Sequence, residues 1–273
     1  MKTLRVYGDS FVAATPGFKC WPEILSDRLS IPLVNRGVSG SSTEYSIKCF
    51  VEDVQHKNIS DDDIVIFVTS TAGRLHFSFQ NNDRPDTGSA YLHRPESRTR
   101  DWWYFQNKDF IEWTIVNQDV QLLDINHEAY IHLIEGVARS KPNATFILLG
   151  NSDHRTKVGR GDFPKNFLQS ETFLNTISQN EYIEPVSYPE WTKHTRWDLR
   201  VNHMSIPNLH IMAEQINQSI NSGVLSNLTY DKFKTKIMSP ISSKSQYLDY
   251  IKNNYIYDMY SLDWFTKTAP ILR

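Results

Sequence analysis

Residues Ile64-Val65-Ile66-Phe67-Val68 form an unbroken apolar run rich in β-branched side chains. A strand with one wet face alternates apolar and polar residues, so a run without alternation predicts a strand covered on both faces. Such a strand belongs in a parallel sheet with helices above and below it. The flanking sequence supplies them. Leu4-Arg5-Val6-Tyr7 favours a short strand, and Pro22 opens a helix with Trp21, Ile24, Leu25 and Leu29 on one side. Ile31 to Asn35 reads as a second strand with Pro32 at its start. Ile47, Phe50, Val51 and Val54 follow at helical spacing. Asp61-Asp62-Asp63 ends that unit.

Beyond Arg74 the pattern fails. Residues 75–126 show no clean period, several turn signals and the cluster Trp102-Trp103-Tyr104-Phe105, and are read as an insertion. Regularity returns with Tyr130, Leu133, Ile134 and Val137, then the strand Thr145 to Leu149. A weaker helix (Phe173, Leu174, Ile177) and a short strand near Tyr182-Ile183 come next. The last clear helix runs from Pro207 to Ile220, with Leu209, Met212, Ala213, Ile216 and Ile220 on one face and Ser205 as N-cap. The expected fold is a three-layer α/β/α sandwich around a mostly parallel five-stranded sheet of flavodoxin-like type. Residues 1–222 form that domain with its insertion, and residues 223–273 a polar, Tyr-rich extension packed on the domain or on a partner.

Composition narrows the function. A formal net charge of −2 over 273 residues leaves no electrostatic footprint for nucleic acid. Mean hydropathy of −0.47, with no long apolar run, excludes a membrane-inserted helix. Leu4 to Tyr7 is too short for a signal peptide, which predicts a cytoplasmic protein, with release by lysis or association with a particle left open. The two cysteines, Cys20 and Cys49, read as ordinary buried residues. His127 and His132, like His203 and His210, lack metal-ligand spacing, so no metal and no cofactor are expected. Arg94, Arg98 and Arg100 are balanced by Glu96 and Asp101 and read as solvated surface. Oligomeric state is not readable.

Ligands of open parallel sheets bind beyond the carboxyl ends of the strands. Gly8-Asp9-Ser10 follows the first strand, and Asn35-Arg36-Gly37-Val38-Ser39-Gly40-Ser41-Ser42 the second. Thr69-Ser70-Thr71 and Arg74 follow the third, and Gly150 to Arg155 the fourth. Asp198 and His203 precede the last helix. A serine hydroxyl becomes a nucleophile when a base takes its proton and an acid orients that base. Ser10 at a strand-to-helix turn, His203 as base and Asp198 as orienter fit those roles, with Gly40 in a turn whose N–H can face an oxyanion.

Those blocks resemble the SGNH (GDSL-type) hydrolases over residues 1–74 and 127–222. The resemblance rests on Gly8-Asp9-Ser10, on Asn35-x-Gly37-x-Ser39-Gly40-x-Ser42, and on an acid shortly before His203. It implies a serine hydrolase acting on carboxylic esters, with Ser10 as nucleophile, His203 as base, Asp198 as acid, and the Gly40 and Ser10 N–H groups in the oxyanion hole. Two departures stand out. The family's third block offers Gly-x-Asn-Asp, where this chain has Thr69-Ser70-Thr71; Thr71, Ser70 or Arg74 is left to replace the Asn. The family acid sits three residues before the His, a position held here by Arg200. Asp198, Asp153 or a backbone carbonyl is left to orient the imidazole.

Asp9, Ser70, Arg74, Trp102 and Trp103 are the candidate substrate-binding residues. Trp102 and Trp103 either pack the insertion onto the core or form a lid or sugar-stacking wall. Polar composition favours a small acyl group on a polar carrier, such as O-acetyl on a glycan. The rival is a non-catalytic binding or structural module that keeps the fold, for which the missing third-block Asn speaks. A nucleotide-binding protein would need a full Gly-rich fingerprint after the first strand, and none is present.

Overall fold

The computed structural model describes residues 1–9, 11–13, 19–38, 41–70, 113, 117, 120–150, 163–173, 206–223 and 233. Five strands, β1 (Leu4–Tyr7), β2 (Leu33–Asn35), β3 (Ile64–Thr69), β4 (Thr145–Gly150) and β5 (Phe167–Phe173), form one parallel sheet in the order β2-β1-β3-β4-β5. Among the described residues four helices accompany them: α1 (Trp21–Leu29), α2 (Thr43–Gln55), α3 (Val120–Ser140) and α4 (Ile206–Ser222). The expected α/β/α sandwich is what the chain builds.

Every residue of β3 is buried. Its side chains alternate between two cores, as the period of a strand requires. Ile64, Ile66 and Val68 join Leu4, Val6, Ile147 and Leu149 beneath α1 and α4, meeting Trp21, Leu25, Met212, Ala213 and Ile216. Val65 and Phe67 join Tyr7, Phe146 and Leu148 beneath α2 and α3, meeting Ile47, Phe50, Ile131 and Ile134. Tyr7, Phe50 and Phe67 pack as an aromatic triplet with ring centroids 5.4–6.2 Å apart. Cys20 and Cys49 are buried thiols, not joined in a disulfide. No helix among the described residues is long and apolar enough to cross a membrane.

Three readings need correction. The fifth strand of the sheet is Phe167–Phe173, so Phe173 lies in a strand rather than in a helix, while Tyr182-Ile183 falls outside the described residues. Among the described residues β5 is an edge strand that pairs with β4 alone, and it carries Gln169 and Ser170 where a central strand carries aliphatics. Helix α3 begins at Val120, inside the stretch read as an insertion. Its buried line is Leu123, His127, Ile131, Ile134 and Ala138, whereas Leu133 is 39% exposed. Asp63 does more than end a helical unit: its buried carboxylate accepts from Thr3 N, Ser60 N and Arg5 Nε at 2.8–2.9 Å and ties the starts of β1 and β3 together.

A second buried carboxylate, Asp53 of α2, accepts from Tyr7 Oη at 2.8 Å, Asn58 Nδ2 at 3.0 Å and Arg36 Nη2 at 2.7 Å. Burial alone would raise its pKa, but the hydrogen bonds from Arg36, Asn58 and Tyr7 outweigh that and hold it below the ordinary range. Burial and the Asp53 contact push the Tyr7 phenol up. Arg36 is 41% exposed, so water screens its charge, and the interior Tyr7 and Asn58 bonds carry more of the stabilisation.

A carboxylate whose pKa is depressed on folding stabilises the fold above its unfolded value, and that contribution is lost as pH falls through the native value. Asp53→Asn is therefore expected to cost about 1.5–3 kcal/mol in urea unfolding at pH 7. The difference from wild type narrows as pH drops below about 4, the unfolded carboxylate value. A difference that stays constant from pH 7 to pH 2 would refute the assignment.

Candidate active site

Strand order reverses between β1 and β3, because the chain passes outward from β1 to β2 and then returns to the other side of β1. The crevice outside such a switch point is where open α/β sheets bind ligands. At this place Asp9 follows β1 and Ser70 follows β3. Although 61 residues apart, they meet: Ser70 Oγ donates to Asp9 Oδ2 at 3.3 Å. Both are buried, at 1% and 2% exposure.

The turn after β1 is an Asx turn, a side-chain oxygen accepting from a backbone N–H two residues on. Asp9 Oδ1 accepts from Phe11 N at 3.1 Å, and the Asp9 carbonyl accepts from Val12 N and Ala13 N at 3.1 and 3.0 Å. The same device ends β2, where Asn35 Oδ1 accepts from Gly37 N at 2.8 Å. Three successive carbonyls beyond the turn are then held by side chains. Trp21 Nε1 donates to Phe11 O at 2.8 Å, Asn35 Nδ2 to Val12 O at 2.6 Å, and Cys20 Sγ to Ala13 O at 3.4 Å. Burial raises the pKa of Glu23, in the first turn of α1, against the pull of its backbone bonds and of Asn35.

Close packing explains two glycines. A Cβ on Gly8 would lie 2.8 Å from Val12 Cγ2 and 2.9 Å from Val68 Cβ. A Cβ on Gly37 would lie 2.5 Å from Val12 Cγ2 and 3.0 Å from Ala13 N. Val12, fully buried, thus fills the space that both glycines leave open. The second loop closes on the first: Val38 N and Ser41 Oγ each donate to Gly8 O at 3.1 Å. Ser42 caps α2, accepting from Tyr45 N at 3.3 Å, and Thr43 Oγ1 accepts from Ser70 N at 2.9 Å. The amino end of α2, with its partial positive charge, therefore faces the switch point.

Of the expected site residues, the structure brings Asp9 and Ser70 together. Ser10, Gly40, Thr71, Arg74, Trp102, Trp103, Asp198 and His203 lie outside the described residues, as does Asp153. Sequence reasoning missed the clamp that Trp21, Asn35 and Cys20 close on residues 11–13. It placed Asn35 in a motif without seeing its double hydrogen bond, although the Asn-x-Gly spacing is itself an Asx-turn signal. His127 is buried in α3; burial lowers its pKa against the pull of Asp124, and its Nε2 has no hydrogen-bond partner among the described residues. That makes it a neutral core histidine. Among the described residues no group of three or more His, Cys, Asp or Glu is arranged to hold a metal ion.

No family model matches the chain, and no curated protein does. It is similar to several solved structures. One is the psychrotrophic esterase EstA from Pseudoalteromonas sp., with 12% identity and a TM-score of 0.40 over 81% of this chain and 98% of that one. Another is a lipase/acylhydrolase from Enterococcus faecalis, with 15% identity and a TM-score of 0.39 over 87% of this chain and all of that one.

Because Gly37 and Val12 compete for one space, Gly37→Ala is expected to destabilise the fold by about 1–3 kcal/mol. In a Val12→Ala background the cost shrinks, since the methyl that collides is gone. A double-mutant cycle by chemical denaturation measures this. Strict additivity would show that Val12 is not what Gly37 accommodates.

Proposed function

We propose that this protein is a serine hydrolase of SGNH type that cleaves a carboxylic ester. The observation that carries the reading is the immobilised turn at the switch point. Asp9 is fixed from β3 by Ser70, and the backbone beyond it from β2 and α1 by Asn35, Trp21 and Cys20. Position 10, the serine of Gly8-Asp9-Ser10, stands inside that clamp in sequence. A nucleophile gains from such support, because misplacing a reacting group by about 1 Å can cost on the order of 10²-fold in rate.

In the proposed reaction Ser10 Oγ attacks the acyl carbon while His203 takes its proton. The N–H groups of Ser10 and Gly40, with Thr71 as a third donor, hold the oxyanion. His203 protonates the leaving alcohol and then activates water to release the acid. Asp198 orients the imidazole. Asp9 and Ser70 act as positioning residues rather than substrate contacts, since both are buried and bonded to each other. Arg74, Trp102 and Trp103 are assigned to substrate binding. An acetyl ester on a polar carrier such as a glycan is the substrate class that the polar composition favours.

Hydrolysis of a chromogenic acetyl ester is expected from the wild-type chain, and Ser10→Ala should remove it, a loss of about 10⁵–10⁶-fold. A serine-directed phosphonate should label the wild type at Ser10. Asp9→Ala should lower kcat by about 10²-fold with KM little changed. Absence of both turnover and labelling in a folded wild type would overturn the hydrolase reading in favour of a non-catalytic module.

A further inference from the structure

Helix α4 buries a row of largely polar side chains. Asn208, Ile211, Gln215 and Ser219 recur at three- and four-residue intervals and so share one flank of the helix. Asn208, Gln215 and Ser219 are 0%, 2% and 0% exposed, a burial that this chain provides by itself. Amide and hydroxyl side chains on a surface helix normally meet water. Helix α1, which packs beside α4, does not account for the difference. Its Arg28 pairs with Glu214, which stands more than a quarter turn from all three at about 100° per residue. Another part of the same chain covers the row.

The chain just past the helix fits that place. Gly223 ends α4 with a φ of +68°, the left-handed conformation that glycine tolerates, and its N–H donates to Ser219 O at 2.9 Å. Such a turn sends the chain off the helix axis instead of onward. Further along, Phe233 is buried at 8% exposure in the core that holds Met212, Ala213 and Ile216 of α4. Ile211, on the buried row, packs against that same core. The chain from 224 to 233 reaches about 35 Å when extended, and α4 is about 25 Å long, so the segment can follow the whole row. Val224, Leu225 and Leu228 give it apolar side chains for the passage. An irregular backbone also offers N–H and C=O groups, which suits amide and hydroxyl neighbours better than an apolar surface would.

We propose that residues 224–233 are a strap of this domain, laid back along α4 over Asn208, Ile211, Gln215 and Ser219 and pinned by Phe233. The start of the carboxy-terminal extension then belongs to its own domain and not to a partner. Phe233 is its anchor because a buried aromatic ring supplies more apolar contact than any other side chain of the segment.

Hydrogen exchange on the full chain should find the amides of 224–233 protected, and equally so at every protein concentration. Phe233→Ala should lower the folding equilibrium constant, measured in urea, by at least about 100-fold and speed exchange in 224–233 and along α4. Phe233→Leu keeps an apolar anchor; it should cost about tenfold and retain the protection, and it serves where the alanine variant does not fold. Amides of 224–233 that exchange in the wild type as fast as an unstructured chain would overturn the proposal. So would protection that rises with concentration, the mark of a partner chain, or a Phe233→Ala chain as stable as the wild type.

Discussion

Everything in this fold is arranged around a strand that offers no polar face. All of β3 is buried, β4 pairs with it along its whole length and β1 with Ile64 to Phe67, and helices close both sides. An unpaired polar group inside such a sandwich costs several kcal/mol on the order of its desolvation energy. Polar side chains are therefore displaced to the strand ends. At the amino end stands Asp63, satisfied by two backbone N–H groups and Arg5. At the carboxyl end stand Asp9, Ser70 and Thr43, satisfying one another and the turns around them. The same constraint that packs the core thus gathers buried polar side chains at both ends of the sheet.

That edge is stiff for a local reason. Fixing the backbone of one loop residue costs about 1–2 kcal/mol in entropy, and a net hydrogen bond returns about 1. The segment 11–13 is held by turn bonds from its amides to Asp9 and by side-chain donors on all three of its carbonyls. Burial of Val12 against the two glycines adds the apolar share. No single bond would hold the loop; ordering comes from their coincidence. Removal of any one should loosen its neighbours, because they share a backbone.

The sequence was legible where side-chain period and burial coincide. β1, β3, β4, α1, α2 and α4 follow from residues that alternate or repeat and are in fact buried. β5 was missed because an edge strand is allowed Gln169 and Ser170. The start of α3 was missed because two apolar lines, one buried and one exposed, overlap between Leu122 and Leu133 and erase a simple 3.6 period. Beyond β1 and β3, Asp9 and Ser70 had been singled out on motif and strand position alone. Their contact was not, because only the strand order brings together residues so distant in the chain. The clamp on residues 11–13 was invisible for the same reason, being built from β2 and α1 together.

Helix α3 also joins the two ends of the sheet. Its 21 residues span about 30 Å, while the six-residue strands beneath span about 20 Å. It runs from the carboxyl edge toward the amino edge, where Asn166 Nδ2 donates to the carbonyls of Ala138, Lys141 and Ala144 and Lys141 Nζ to Asp61.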